Sequence, residues 1–495
     1  RFAAPGGAGR VLLHFGAVDQ HARVWLNGQL LGEHSGGYDG FSFDVTELLQ
    51  PENELLVETR DDLRDKTMPY GKQRRDRGGM WYTPVSGIWQ TVWMERVPDD
   101  YIRELHFSTE GNTVNLELVG PKTGTLYLKT PEGEIQVPIR EGKAALTLSN
   151  PRPWSPEDPY LYEAVIQAGQ DRVESYFAFR TLDIKTVDGM PRLYLNGKPY
   201  FFHGLLDQGY WPEGLYTPPS DAAVERELSE VKALGYNLLR KHAKIEPQRW
   251  YYHCDRLGLV VWQDMVNGGS KYNLWFVTYL TNVLQPLMRR LPDKVALWGL
   301  LSRGSESSRT EYRRELEDTV QALRCHPCVG CWVPFNEGWG QYDAAGAVQA
   351  IRTLDDTRLV DEASGWYDQG GGDVYSLHNY FYPLRVRPQT RTVALSEYGG
   401  IAWPMPGHEP PRKTYGYGTA KSREELTARY KKLQLGTVLP QLQKGLSALV
   451  YTQLTDVEDE VNGLFTYDRT AIKPDANAVR SVNAALAAEF AKVIK

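Results

Sequence analysis

Two glutamates stand where reactive groups are usually placed. Glu337 follows the apolar run CWVPF (331–335) and Asn336, and Glu397 follows the apolar run TVALS (392–396). Similar runs end in other polar side chains. Arg240 and His242 follow YNLL (236–239), Asp264 follows LVVWQ (259–263), His378, Asn379 and Tyr380 follow VYSL (374–377), and Asp456 and Glu458 follow ALVYTQL (448–454). A pair of carboxylates converging from two strands can divide labour. One is protonated and assists a departing oxygen, and the other is ionised and meets an oxocarbenium-like centre, which is what cleavage of a glycosidic bond demands. Asn336 could bond a sugar hydroxyl and Tyr380 could orient Glu397. The aromatic residues Trp332, Phe335 and Trp339 could desolvate Glu337 and favour its protonated form. One strand-end glutamate is equally well explained as a rim salt bridge. Two of them, one inside Asn-Glu, weigh towards catalysis.

These residues need a scaffold that brings strand ends together. After about residue 183 strands alternate with helices. Ser220 is placed to cap a helix carrying Val224, Leu228, Val231 and Leu234 at helical spacing, and Gly235 stops it. Pro247 opens a second helix that Gly258 ends, and further helices are expected near 312–324, 344–354 and 422–444. Strand–helix alternation over 183–495 predicts parallel βα units closed into a (β/α)8 barrel, whose active site lies at the C-terminal ends of the strands. No GxGxxG follows a first strand, so nothing supports a dinucleotide fold. Residues 1–97 and 98–182 read as β throughout, with short alternating runs and an Asn27-Gly28 hairpin. The spacing in 98–182 suits a small sandwich. The segment 265–310 is long for a connection between strands and is expected to form a lid or wall. Arg74-Arg75-Asp76-Arg77 reads as a solvated or interdomain loop.

A formal charge of −6 over 495 residues argues against nucleic acid or an anionic membrane as the partner. No apolar stretch approaches the roughly 18 residues of a membrane span. With no leader at its start the chain is expected to be cytoplasmic. It opens on Arg1 inside a strand-rich region, so the first domain is expected to be truncated and secretion stays open. Cys325, Cys328 and Cys331 have metal-like spacing, but Cys331 begins an apolar strand, and packed thiols are the expectation. Neither a metal nor a cofactor is expected.

PFNEGWGQYD (334–343), ALSEYGG (394–400) and NLLRKH (237–242) resemble the acid/base, nucleophile and Asn-x-x-Arg segments of glycoside hydrolase family 2, the family of β-galactosidases, β-glucuronidases and β-mannosidases. WLNGQLLGEHSGGYDGFSFDVTELL (25–49) and GIWQTVW (87–93) look like its jelly-roll sugar-binding domain. WSPEDPYLY (154–162) and SYFAFR (175–180) look like its immunoglobulin-like domain. The resemblance implies a jelly-roll β-sandwich at 1–97, an immunoglobulin-like β-sandwich at 98–182 and a TIM barrel at 183–495. It further implies Glu337 as acid/base and Glu397 as nucleophile of a retaining exo-β-glycosidase, with a glycoside or oligosaccharide as substrate and a homo-oligomer as an open option. No Asn-x-Lys follows Glu397, which weakens the β-glucuronidase reading. HGLLDQGYWPEG (203–214) replaces the Arg-His-Glu-His-like segment of the metal-dependent β-galactosidases, which weakens a metal site. β-Galactosidase is the favoured specificity; β-glucuronidase, β-mannosidase, β-glucosidase, an arabinopyranosidase-like enzyme or a non-catalytic sugar-binding protein are the alternatives. Asp207, Trp211 and Asp264 are candidates for the terminal-sugar subsite, each equally explained as structural. Asn336, Arg240, His242, Trp339, His378, Asn379, Tyr380 and Asp456 complete the candidate substrate contacts, and His203 is a weaker one.

Overall fold

The computed structural model describes residues 1–494 except 271, 272, 274, 290, 382, 409 and 410. It divides into two compact units. The first holds Arg1–Asp62, Ser86–Arg180 and Gln321–Pro327, and the second holds Leu63–Val85, Thr181–Val320 and the chain from Cys328 onward. Residues 63–85, which the sequence reading puts inside the first β-domain, therefore belong to the barrel's unit.

In the first unit, antiparallel sheets of Val92–Val97, Arg10–Phe15 and Phe41–Asp44, and of Gln29–Ser35, His21–Leu26 and Leu55–Arg60, enclose Val11, Leu13, Phe15, Val24 and Leu26. The strand His21–Leu26 shows why: Ala22, Val24 and Leu26 are buried, at the two-residue period of a strand with one face inward. Asn27 and Gly28 take φ of 52° and 81° between paired strands, the left-handed pair that a tight hairpin needs. Residues from Glu104 to Phe177 form a seven-stranded antiparallel ladder around Leu116, Leu126, Leu128, Tyr162, Ile166 and Phe177. These are the jelly-roll and immunoglobulin-like sandwiches.

The second unit is the barrel. Its strands are β1 (Phe202–Asp207), β2 (Leu238–Lys241), β3 (Val260–Asp264), β4 (Val329–Val333), β5 (Leu359–Val360), β6 (Val374–Asn379), β7 (Thr392–Gly399) and β8 (Leu446–Thr452). From β5 through β4, β3, β2, β1, β8 and β7 to β6 each strand pairs in parallel with the next, and among the described residues β5 and β6 are the two ends of this order. Helices Asp221–Ala233, Gln248–Leu257, Glu306–Leu323, Ala344–Leu354 and Arg423–Lys431 stand between strands. Ser220 accepts the N–H of Ala223 as the predicted cap. The helix expected over 422–444 widens into a π-helical stretch at Lys432–Val438 before Leu439–Leu442. A last helix, Ala476–Val493, was not anticipated, although Val479, Val482, Leu486 and Phe490 bury one stripe of it. Within 265–310, residues 271, 272, 274 and 290 lie outside the described residues. The rest forms short helical pieces, and Val277, Met288 and Leu301 pack with Trp339, Trp366 and Tyr367 as a wall.

Candidate active site

Glu337 is placed by a turn rather than by a strand. The short strand Phe335–Asn336 pairs with Ala363–Ser364, and the Glu337 N–H donates to the Ser364 carbonyl (2.8 Å). Glu337 itself has φ of 52° and Gly338 has φ of 70°. A Cβ on residue 338 would lie 2.2 Å from the Tyr367 ring, so the position requires glycine for space as well as for conformation. The chain then doubles back, Trp339 N–H to Asn336 carbonyl (3.0 Å), which leaves the Glu337 side chain 20% exposed at the barrel mouth.

Glu397 is placed by a bulge. Between β6 and β7 the register passes from Leu377↔Leu395 to His378↔Glu397, skipping Ser396. Consecutive residues on a regular strand face opposite ways; the extra residue lets Ser396 and Glu397 both reach the interior. Glu397 Oε1 lies 3.2 Å from Arg240 Nη1, and Oε2 accepts from the Tyr380 hydroxyl (2.7 Å). Burial alone would push this carboxyl up. His378, Arg240 and His242, with the Tyr380 bond, outweigh burial and hold it down at about 2. Arg240 is the hub: it also grips Asp264 through two nitrogens (2.9 and 3.0 Å) and donates to Asn336 Oδ1 (2.8 Å). His242 Nδ1 bonds the same Asp264. Tyr380 stacks on Tyr417 with centroids 3.6 Å apart, and burial, then Glu397 and Glu337, raise its phenol well above the usual range.

His378 stands between the two glutamates. Its Nδ1 is 2.8 Å from Glu337 Oε1 and 3.7 Å from Glu397 Oε2. One donor atom from each of these three side chains lies within 4.8 Å of the other two. Among the described residues this is the one grouping dense enough for a metal, yet a bound ion would neutralise both carboxylates, so the set is better read as a proton site. The near oxygens of the two carboxyl groups thus lie closer together than the about 6.5–9.5 Å that separates the carboxyls of an inverting pair.

The chain matches the models of the glycosyl hydrolases family 2 in three successive parts. These are the galactose-binding domain-like region at 2–87, the family's own domain at 95–180 and the TIM barrel domain at 187–439, the last covering half the chain. The chain belongs to glycosyl hydrolase family 2. It is 23% identical over 434 residues to a β-galactosidase of Thermoanaerobacter pseudethanolicus, covering 81% of this chain but 53% of that one. It is 24% identical over 478 residues to a β-glucuronidase of Paenibacillus borealis, covering 85% and 75%. The chain thus spans about half the length of the first of these relatives. A Bifidobacterium dentium β-glucuronidase structure superposes with a TM-score of 0.75 at 18% identity, over 98% of this chain and 87% of that one.

In this family 2 barrel the 63–85 segment lies across the mouth, which sequence reasoning missed. Its Tyr70 and Gly71 N–H groups donate to the Asn267 carbonyl, Tyr82 donates to Glu460, and Arg77 pairs with Glu458 (2.7 Å). Trp81 meets Trp339 edge-to-face at 5.2 Å, and Lys72 sits 5.4 Å from the Trp81 ring centre. Burial first, and then the Lys72 charge, lowers His242, which puts Lys72 within electrostatic reach of the site. The available signal was length: 61–86 is too long and too aromatic for a plain loop between strands.

Other predicted contacts lie elsewhere. Asp207 faces away from the mouth, bonded to Lys241 (2.5 Å) and the Gly209 N–H (2.8 Å). Trp211 is buried under the Arg469 guanidinium, 3.9 Å from its ring centre. Asp456 is paired with Lys473 (2.6 Å), and burial pushes it up to about 6. His203 is buried beside Tyr236, and burial lowers it to about 3. Trp332 donates its indole N–H to Asp355 (2.9 Å) and Phe335 stacks on Tyr312, so neither serves as the expected neighbour of Glu337. Asn379 is half-buried at the end of β6. Cys254, Cys328 and Cys331 are buried thiols and Cys325 is exposed.

Proposed function

We propose that the chain acts as a retaining exo-β-glycosidase. The observation that carries this reading is the pair Glu337 and Glu397, rooted at β4 and β7, with their near oxygens within 4.8 Å of one another and with Glu397 held down by the cations around it. In the first step Glu397 attacks the anomeric carbon while Glu337 passes a proton to the leaving oxygen, so the glycosidic C–O bond breaks as the glycosyl–Glu397 ester forms. In the second, Glu337 takes a proton from water, which displaces Glu397. Arg240 holds Glu397 ionised. It also donates to Asn336 Oδ1, which turns the Asn336 amide N–H groups to a sugar hydroxyl. The cover of 63–85 over one side of the mouth suits a terminal sugar rather than a continuous chain.

A β-galactoside is the first choice of substrate, in keeping with the similar Thermoanaerobacter enzyme. A β-hexuronide is the second reading, and Lys72 favours it: this half-buried cation, within electrostatic reach of Glu460 and His242, can meet a sugar carboxylate without any Asn-x-Lys. Hydrolysis of nitrophenyl β-galactoside, β-glucuronide, β-galacturonide and β-mannoside distinguishes them. Glu397→Gln is expected to lose at least about 10⁴-fold in kcat, and azide is expected to rescue Glu397→Gly as the α-glycosyl azide. Full turnover in Glu397→Gln would remove the nucleophile. Lys72→Met is expected to lower kcat/KM about 10–100-fold on uronides alone; equal loss on neutral sugars would discard the second reading.

A further inference from the structure

We propose that His378 is a third working group of this site, holding in common with Glu337 the proton that the leaving group receives. This rests on the glycosidase reading above. The ring is fully buried, and everything around it fixes its orientation. Nε2 lies 3.0 Å from Ser364 Oγ. The Ser364 hydroxyl donates to Ser396 Oγ (3.0 Å), and Ser396 donates in turn to the Leu377 carbonyl (3.4 Å). With its own proton given to Ser396, Ser364 Oγ is an acceptor for the imidazole, which donates Nε2–H to it, and it also has Ser376 Oγ at 3.1 Å. That tautomer turns Nδ1, the other nitrogen, towards Glu337 Oε1 at 2.8 Å with one proton between them. The backbone confirms that the place is built for a ring: Gly365 has φ of 96°, and a Cβ there would lie 2.8 Å from His378 Nδ1. Trp366 meets the His378 ring edge-on, with centroids 5.5 Å apart.

The groups facing this imidazole are Glu337 beyond β4, Asp361 beyond β5, Glu397 on β7 and, through Glu397, Arg240 and Tyr380. Two carboxylates so close repel, and without a cation one of them would take up a proton. When the shared proton sits on His378, Glu337 is ionised and Glu397 sees a cation at 3.7 Å. When it sits on Glu337, the carboxylic acid is ready for the glycosidic oxygen. Glycosylation removes that one proton from the pair and hydrolysis of the ester returns one from water, so no other proton donor is needed. Ser364 joins the two halves of the device, since its carbonyl holds the Glu337 N–H and its hydroxyl holds His378.

The test is the pH dependence of kcat/KM in His378→Asn and Ser364→Ala. Loss of the imidazole is expected to narrow the bell from both sides by about one pH unit each. The acid limb rises because Glu397 loses a cation, and the alkaline limb falls because Glu337 holds the proton alone. Ser364→Ala is expected to lower the alkaline limb by less. A fall in kcat with both limbs unmoved would make His378 structural and overturn the proposal. A second measurement needs no turnover and no stable His378 variant. In histidine-labelled protein followed by NMR, Glu337→Gln is expected to lower the pH at which the His378 ring resonance moves by about one unit. An unmoved resonance overturns the shared proton. Inactivity of the native protein on every sugar would instead sink the glycosidase reading.

Discussion

Arg240 and Lys241 are consecutive, fully buried cations on β2, and they serve opposite purposes because a strand turns successive side chains to opposite faces. Arg240 points into the barrel, where Asp264, Asn336 and Glu397 share it. Lys241 points to the helix layer, 4.2 Å from the Trp250 ring centre, and closes a cluster with Asp207 (2.5 Å) and Glu246 (2.7 Å) that also takes in Lys244. The inward network is open-ended and stops at groups that face the mouth. The outward one is closed, each charge being matched within the layer. Buried charge is thus no sign of a site by itself; the face of the strand decides.

Replacing each cation by methionine is the strongest test of that contrast. Arg240→Met is expected to lower kcat roughly 10³-fold, since Glu397 loses its ionising partner. Lys241→Met leaves Asp207 buried without its bonded cation, while Glu246 keeps Lys244 (2.9 Å), and is expected to cost about 3–5 kcal/mol of stability, with kcat of the folded fraction within a few-fold of wild type. Thermal unfolding and activity measured on the same samples separate the two. Equal catalytic loss in both variants would erase the distinction between faces.

A smaller effect follows from pH. Asp361 beyond β5 and Asp456 beyond β8 are pushed up to about 6 by burial, whereas Glu397 is held at about 2. Raised carboxyls favour the folded state most below their unfolded value near 4, and that contribution is lost as pH rises through about 6. The depressed Glu397 works oppositely: its contribution is present above about 4.5 and lost as pH falls towards 2. Asp361→Asn is therefore expected to gain on the order of 2 kcal/mol at pH 8 relative to its effect at pH 4. A pH-independent change would mean that the Asp361 carboxyl titrates alike in the folded and the unfolded chain.

The same distinction explains what could be read from the chain. The βα alternation, the Asn27-Gly28 hairpin and the glutamates behind apolar strands are local patterns, and each has a direct physical cause in periodicity or turn geometry. Arg240, His242, Asp264, Asn336, His378 and Tyr380 are legible for the same reason, as strand-end residues that meet at Glu397 and Glu337. Asp207 was misplaced because strand parity cannot be counted without the register: its partner is Lys241, so both point outward together. Ser364, Asp361 and Lys72 were not legible. Ser364 matters through a short parallel pair beyond β4, and Lys72 reaches the mouth from a segment more than 250 residues before Glu337 in sequence.

Tyr380 offers the finest cut between positioning and packing. Its hydroxyl donates to Glu397 Oε2 at 2.7 Å and lies 2.9 Å from Thr452 Oγ1, while its ring is clamped on Tyr417. Tyr380→Phe keeps the stack and removes the bond to a charged acceptor, worth about 1.5–3 kcal/mol, so kcat is expected to fall about 10–100-fold with little change in thermal midpoint. Thr452→Val leaves that bond intact and takes away only the second partner, and its expected loss is no more than about fivefold. If the two variants lose activity equally, the hydroxyl acts through Thr452 and the strand β8 rather than on the nucleophile. If Tyr380→Phe instead lowers the thermal midpoint and spares kcat, the phenol belongs with Lys241 among groups that hold the barrel together, and the inward face loses one of its working members.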